Sequence, residues 1–126
     1  MELHIFIGDE MLTNSKLTIY HKYYDKESHL DKWKRQVINN VWWFGGKGAS
    51  YNMGLDNAND VKIRIPKDIN DLSNLEISVG DILVKGELEK EISMQSDLKD
   101  VEDVYNITSI VDNDFGNNKH LHIEGK

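Results

Sequence analysis

Apolar and polar positions alternate through residues 16–24, KLTIYHKYY, with Leu17, Ile19 and Tyr23 on one side and Thr18, Tyr20 and Lys22 on the other. A period of two marks a half-buried strand. Polar residues 25–31 interrupt it, and a second β-prone run extends from Trp33 through Val37 and Ile38 to Val41, Trp42, Trp43 and Phe44. Two such runs across a short polar loop predict a β-hairpin. Residues 16–44 hold all three tryptophans and three of the five tyrosines, so this hairpin should supply much of the core. Asn39-Asn40 breaks the second run, where a bulge would bend the strand.

The same reading extends along the chain. Leu3-His4-Ile5-Phe6-Ile7 is either an extra edge strand or an arm that orders against a neighbour. Residues 45–59, rich in Gly and Asn, predict a long loop of the kind that carries function or meets a partner. Residues 61–65, VKIRI, alternate cleanly, and Pro66 ends the run because it cannot donate to a ladder. Residues 67–74 are polar, with Leu72 as the anchor of a helical turn. Residues 75–79, a Gly80-Asp81 turn and residues 82–84 suggest a further hairpin or a strand around a bend, and residues 88–94 a weak strand. Ser96 as a cap and Asp97 in the first turn predict a short helix through Asp103. Residues 104–111 and 120–123, around Asp-Asn-Asp-Phe-Gly-Asn-Asn, predict a closing hairpin. The expectation is a mainly β fold, a small barrel or sandwich of six to eight short antiparallel strands with one short helix and a long loop. Residues 1–10 form an N-terminal extension or arm, and residues 11–126 a single domain.

Charge changes this picture. The formal net charge is −7, yet residues 1–66 carry nine Lys/Arg against eight Asp/Glu, and residues 67–104 carry four against eleven. The excess therefore sits in one segment, and it disfavours tight wrapping of DNA or RNA. The local exception is residues 22–35, with five cations against three anions. There is no cysteine, so no disulfide framework and no thiolate metal site. No apolar run approaches the roughly 20 residues that span a bilayer, and the opening MELHIFIGDEM lacks the marks of a signal peptide. A product made in the cytoplasm, without membrane contact, is expected.

Candidate chemistry is sparse. Gly45-Gly46-Lys47-Gly48 lacks the Gly spacing and the Ser or Thr of a phosphate-binding loop, so a plain loop is expected. His120 and His122 share a strand face with Glu124, but no further metal ligand is evident unless His4 or His29 approaches. Asp114-Phe115-Gly116 spells a kinase triplet without the other kinase motifs and reads as a turn. The acidic residues 87–91 and 97–103 read as a solvated face rather than as paired catalytic carboxylates. No nucleophile motif is present, and neither an enzyme nor a cofactor is expected. Tyr20, Tyr23, Tyr24, Lys22 and Arg35 mix aromatics with cations as single-strand-binding barrels do, so a nucleic-acid-binding barrel is the alternative reading.

Residues 12–24, LTNSKLTIYHKYY, resemble the opening of small phage head–tail joining proteins, also called head-closure, stopper or neck proteins. Residues 31–43, ending in Val-Trp-Trp, look like their second strand; GDILVKGE at 80–87 is similar to a mid-chain turn and strand; residues 107–125 resemble their closing hairpin. The resemblance implies a virion structural protein of the neck, made in the bacterial host. Such a subunit forms a homo-oligomeric ring, commonly a hexamer, between the portal or adaptor ring and the tail-terminator or other neck proteins. Packaged DNA would pass nearby without sequence-specific binding. A ring needs two different faces. Lys22, Lys32, Lys34 and Arg35 are expected on one, and Glu87, Glu89, Glu91, Asp97 and Asp100 on the other, unless those acids line the channel. Gly45, Gly46, Lys47, Gly48 and Met53 are expected to form a partner-contact loop.

Overall fold

The structure is a computed structural model that describes residues 13–46, 60–116 and 118–126. The expected arm at 1–10, the loop residues Lys47, Gly48 and Met53, and His4 lie outside them. The strands are β1 (Ser15–Asp25), β2 (Leu30–Gly45), β3 (Val61–Pro66), β4 (Ile82–Lys85), β5 (Val104–Asn113) and β6 (His120–Gly125). All pair antiparallel, and the sheet closes on itself in the order β1-β2-β3-β6-β5-β4. The mainly β expectation is met by a closed barrel.

The interior is filled by Leu17, Ile19, Ile38, Val41, Trp43, Val61, Ile63, Ile65, Leu83, Tyr105, Ile107 and Ile123. Ile38 and Val41 both point inward although three residues separate them. Strict alternation would turn one of them out. The pairing shows how both fit: between Ser15↔Val41 and Leu17↔Ile38, β2 advances three residues while β1 advances two. Asn39-Asn40 therefore contains the bulge, and Asn70 Nδ2 donates to the Asn40 carbonyl at 2.8 Å. A second bulge lies at Thr108 in β5.

Two expected strands are not strands. Residues 75–79 do alternate, and Leu75 and Ile77 pack with Leu72 against the core. They belong to a segment, residues 67–81, that crosses one mouth of the barrel, where no strand lies alongside. A side chain stands in for one: Gln36 Nε2 donates to Glu76 O at 2.7 Å, and Glu76 N donates to Gln36 Oε1 at 2.9 Å. Residues 86–103 form a strap over the outside of β1, β2 and β4. There Ile92 and Leu98 join Tyr20, Ile82 and Val84 in a second core, with Trp33, Leu88, Val101 and Val104 around it.

The expected helix shrinks to a 3-10 turn, Gln95–Leu98. Its cap position is Met94, not Ser96, and Asp97 accepts from the Ser93 and Met94 amides at 2.8 and 3.2 Å. Asp100, Glu102 and Asp103 would crowd the negative end of a longer helix, and Asp103 turns to φ 56°.

Strand directions give the barrel two unlike ends. One carries the turn at 26–29, the closing segment 67–81 and residues 114–116 and 118–119 between β5 and β6. The other carries Asn14, the Gly46–Asp60 junction and Lys126. Replacing Ile63 by Ala should cost about 2–5 kcal/mol of unfolding free energy in a urea titration. Deleting Asn40 should be worse, abolishing the cooperative transition, because Val41 and Trp43 would then face solvent.

Candidate functional site

β1 is paired with β4 only from Leu17 to Tyr20. Beyond Tyr20 it continues with β2 as a two-stranded ribbon, and Tyr23, Tyr24 and Leu30 on it are exposed. A shallow groove of about 260 Å³ lies between this ribbon and the strap, lined by Tyr23, Leu30, Trp33, Ile92 and their neighbours. Tyr20, one of the residues expected to stack on nucleic acid, is fully buried. Its hydroxyl donates to the Lys90 carbonyl, and burial pushes its pKa up, against the pull of Arg35.

The cations expected to form one face of an interface all have partners within the chain. Lys32 Nζ lies 2.7 Å from Asp25 Oδ2, Lys22 Nζ 3.5 Å from Asp31 Oδ2, and Lys34 Nζ 3.5 Å from Glu76 Oε2. Lys22 also sits 5.9 Å from the Trp33 ring centre, and Arg35 Nε donates to the Leu88 carbonyl. The strap thus lies against the hairpin that was expected to be its opposite. Of the acidic set, Glu87 pairs with Lys16 at 3.2 Å, and Asp97 caps its own turn. Glu89, Glu91 and Asp100 are exposed and have no ion pair among the described residues.

Gly45 and Gly46, expected in a partner-contact loop, are built into the barrel. Gly45 ends β2 at φ 92°, and a Cβ there would stand 2.5 Å from the Asp60 carbonyl oxygen. Gly46 is buried at φ 108°, donates to Asp60 O at 3.0 Å, and would thrust a Cβ to 2.5 Å from the Tyr105 hydroxyl. Only glycine tolerates both demands.

His120 and His122 do not converge on a metal. His120 Nδ1–H donates to Asn118 O at 2.7 Å, its Nε2 accepts from Asn113 at 3.0 Å, and His122 Nε2 lies 3.2 Å from Glu124. His29 bonds to Tyr24 in the hairpin turn. Among the described residues no group of three potential ligands could hold a metal ion.

Two features escaped the sequence reading. Asp81 is buried and holds His21 Nδ1–H at 2.7 Å, Ser78 N at 2.8 Å and Lys22 N at 3.2 Å. This clasp ties the mouth-closing segment to β1. The second is the outer face of β3. Trp42 and Phe44 stack there with centres 5.6 Å apart and planes 2° from parallel, and Arg64 lies over Trp42 at 5.0 Å. Lys62 and Arg64 are exposed, and neither has an ion-pair partner among the described residues. Alternation in VKIRI predicts that both point outward. That two aromatics of β2 lie beside them follows only from the Trp42↔Arg64 and Phe44↔Lys62 register.

The barrel, its bulges and its strap fall entirely within residues 12–126, which match the model described as a family of unknown function, DUF6751. The chain belongs to that family. No curated protein and no solved structure matches this DUF6751 chain.

The Asp25 carboxyl is held down to about 2, first by its hydrogen bond from Lys32 and then by the Glu27 amide and Ser28 hydroxyl. A depressed carboxyl contributes stability above its unfolded value, near 3.8, and loses it as pH falls through the folded one. The turn should therefore hold until pH drops from about 4 toward 2. In carboxyl-detected NMR, Lys32→Gln should raise the Asp25 midpoint toward the ordinary range; an unmoved midpoint would remove Lys32 as the cause.

Proposed function

We propose that this chain is a structural subunit of a phage or phage-like particle neck, one copy of a ring that joins the portal or adaptor layer to the tail. The observation that carries the reading is the two-ended barrel. A piece seated between two unlike layers needs two unlike axial surfaces. Here one end presents hairpin tips and a closing segment, while the other gathers Asn14, the Gly46–Asp60 hydrogen bond and Lys126. The resemblance of residues 12–24, 31–43, 80–87 and 107–125 to head–tail joining proteins supports the same role. The filled interior supports work by contact rather than by turnover in a cavity.

In this role the ring, commonly a hexamer in the head–tail joining proteins that the chain resembles, contacts its own copies laterally and the portal and tail-terminator layers axially. The net-negative surface keeps passing duplex DNA from sticking. The protein would be found in the neck of the virion. Particles lacking the gene should give separate heads and tails with unstable DNA retention, and supplying the protein in trans should rejoin them. Normal joining without it, scored by electron microscopy and plaque count, would end the proposal.

A further inference from the structure

Glu89, Glu91 and Asp100 of the strap, which have no ion pair among the described residues, and the exposed Lys62 and Arg64 lie on opposite sides of the barrel. The strap covers β4 and β1, and β3 with β6 stands across the closed order from them. Residues 86–103 carry two Lys against seven Asp/Glu. Across the barrel, Lys62 and Arg64 are exposed, with Glu124 of β6 as the neighbouring anion.

Arg64 shows how such a face is suited to a carboxylate. Its guanidinium carbon lies over the Trp42 ring, 5.0 Å from the centre, a cation–aromatic contact, and a guanidinium can still meet a carboxylate through paired N–H donors. Trp42 and Phe44 supply flat apolar surface beside it. On the strap, Met94 is 57% exposed next to Ser93 and Asp97, and a thioether packs well on aromatic edges.

We infer that the Trp42–Phe44–Lys62–Arg64 face of one copy receives the acidic strap of a second copy, through Glu89 and Glu91. This rests on the assembly reading above and names its lateral contact. The arrangement is heterologous: one side of a subunit meets the opposite side of the next, which closes a ring or, if rotation does not close, builds a filament. A single-stranded nucleic acid is the other occupant such aromatics and cations suit. The strap is favoured because its unpaired carboxylates occur on the same molecule, and because the whole chain is net negative.

The test uses the full-length protein and two charge-reversed variants, Lys62→Glu with Arg64→Glu, and Glu89→Lys with Glu91→Lys. Native mass spectrometry and sedimentation velocity read assembly, and circular dichroism confirms that these surface changes leave the barrel folded. Each variant alone should self-associate at least about tenfold more weakly than wild type, since like charges then meet. An equimolar mixture should recover assembly, because each reversed face finds a reversed strap. Lys62→Gln with Arg64→Gln, which removes charge without reversing it, should fall between. Undiminished assembly of both variants, or a mixture of folded variants that does not recover, overturns the inference. A wild-type chain that stays monomeric to about 1 mM also overturns it. So does oligothymidylate binding lost in the Lys62→Glu, Arg64→Glu variant while assembly is unchanged. The neck role stands or falls separately, on whether particles lacking the gene join.

Discussion

The first half of β1 is buried on both faces, and much of the architecture answers that fact. Leu17 and Ile19 point into the barrel, as any barrel strand requires. Thr18 and Tyr20 point out, yet both are fully buried. The strap buries them, but it cannot pair as a strand, because β1 already has β2 on one side and β4 on the other. Its backbone polar groups need partners even so. Side chains provide them. Thr18 Oγ1 donates to Gly86 O at 2.8 Å and accepts from Leu88 N at 2.9 Å, Arg35 donates to Leu88 O, and Tyr20 donates to Lys90 O. Three outward side chains of the hairpin thus do for the strap what a ladder does for a strand.

The same substitution explains where the sequence was legible. Strands paired with other strands follow the period-two rule, so β3, β5 and β6 and both arms of the first hairpin were readable from Val61, Ile63, Ile65 and their like. Asn39-Asn40 was readable as a bulge because two adjacent polar residues sit in an apolar run. Residues 75–79 and 88–94 carry enough apolar residues to read as strands, but their neighbours are Gln36, Thr18, Tyr20 and Arg35. Nothing in a local window shows that a side chain from forty or seventy positions away will take the place of a ladder. The outward Tyr20 read as a surface aromatic for the same reason.

Charge was legible as a composition and not as a surface. The cationic stretch at 22–35 and the acidic stretch after residue 67 look like opposite faces on paper. Folding places the strap on the hairpin, and Glu76 from the mouth-closing segment next to Lys34. Exposed pairs of this kind contribute little stability each, but they use up Lys22, Lys32 and Lys34. Lys62 and Arg64, which have no ion pair among the described residues, sit in a stretch whose local charge is unremarkable. Only closure of the sheet sets it opposite the strap.

The strap's attachment also bears on what its charge can do. It is held by Ile92 and Leu98 beneath it and by hydrogen bonds from Thr18, Tyr20 and Arg35, with one exposed ion pair, Lys16–Glu87, at its start. Had its carboxylates been the anchor, they would have been turned inward and paired, and burying them would have carried a heavy desolvation cost. Anchoring by backbone and apolar groups leaves Glu89, Glu91 and Asp100 outside, at positions set by a packed core rather than by flexible ion pairs. A segment built this way presents a fixed pattern of negative charge. Fixed patterns, unlike diffuse acidity, can be matched by a surface of opposite sign, and Arg64 of β3 over Trp42 of β2 offers one.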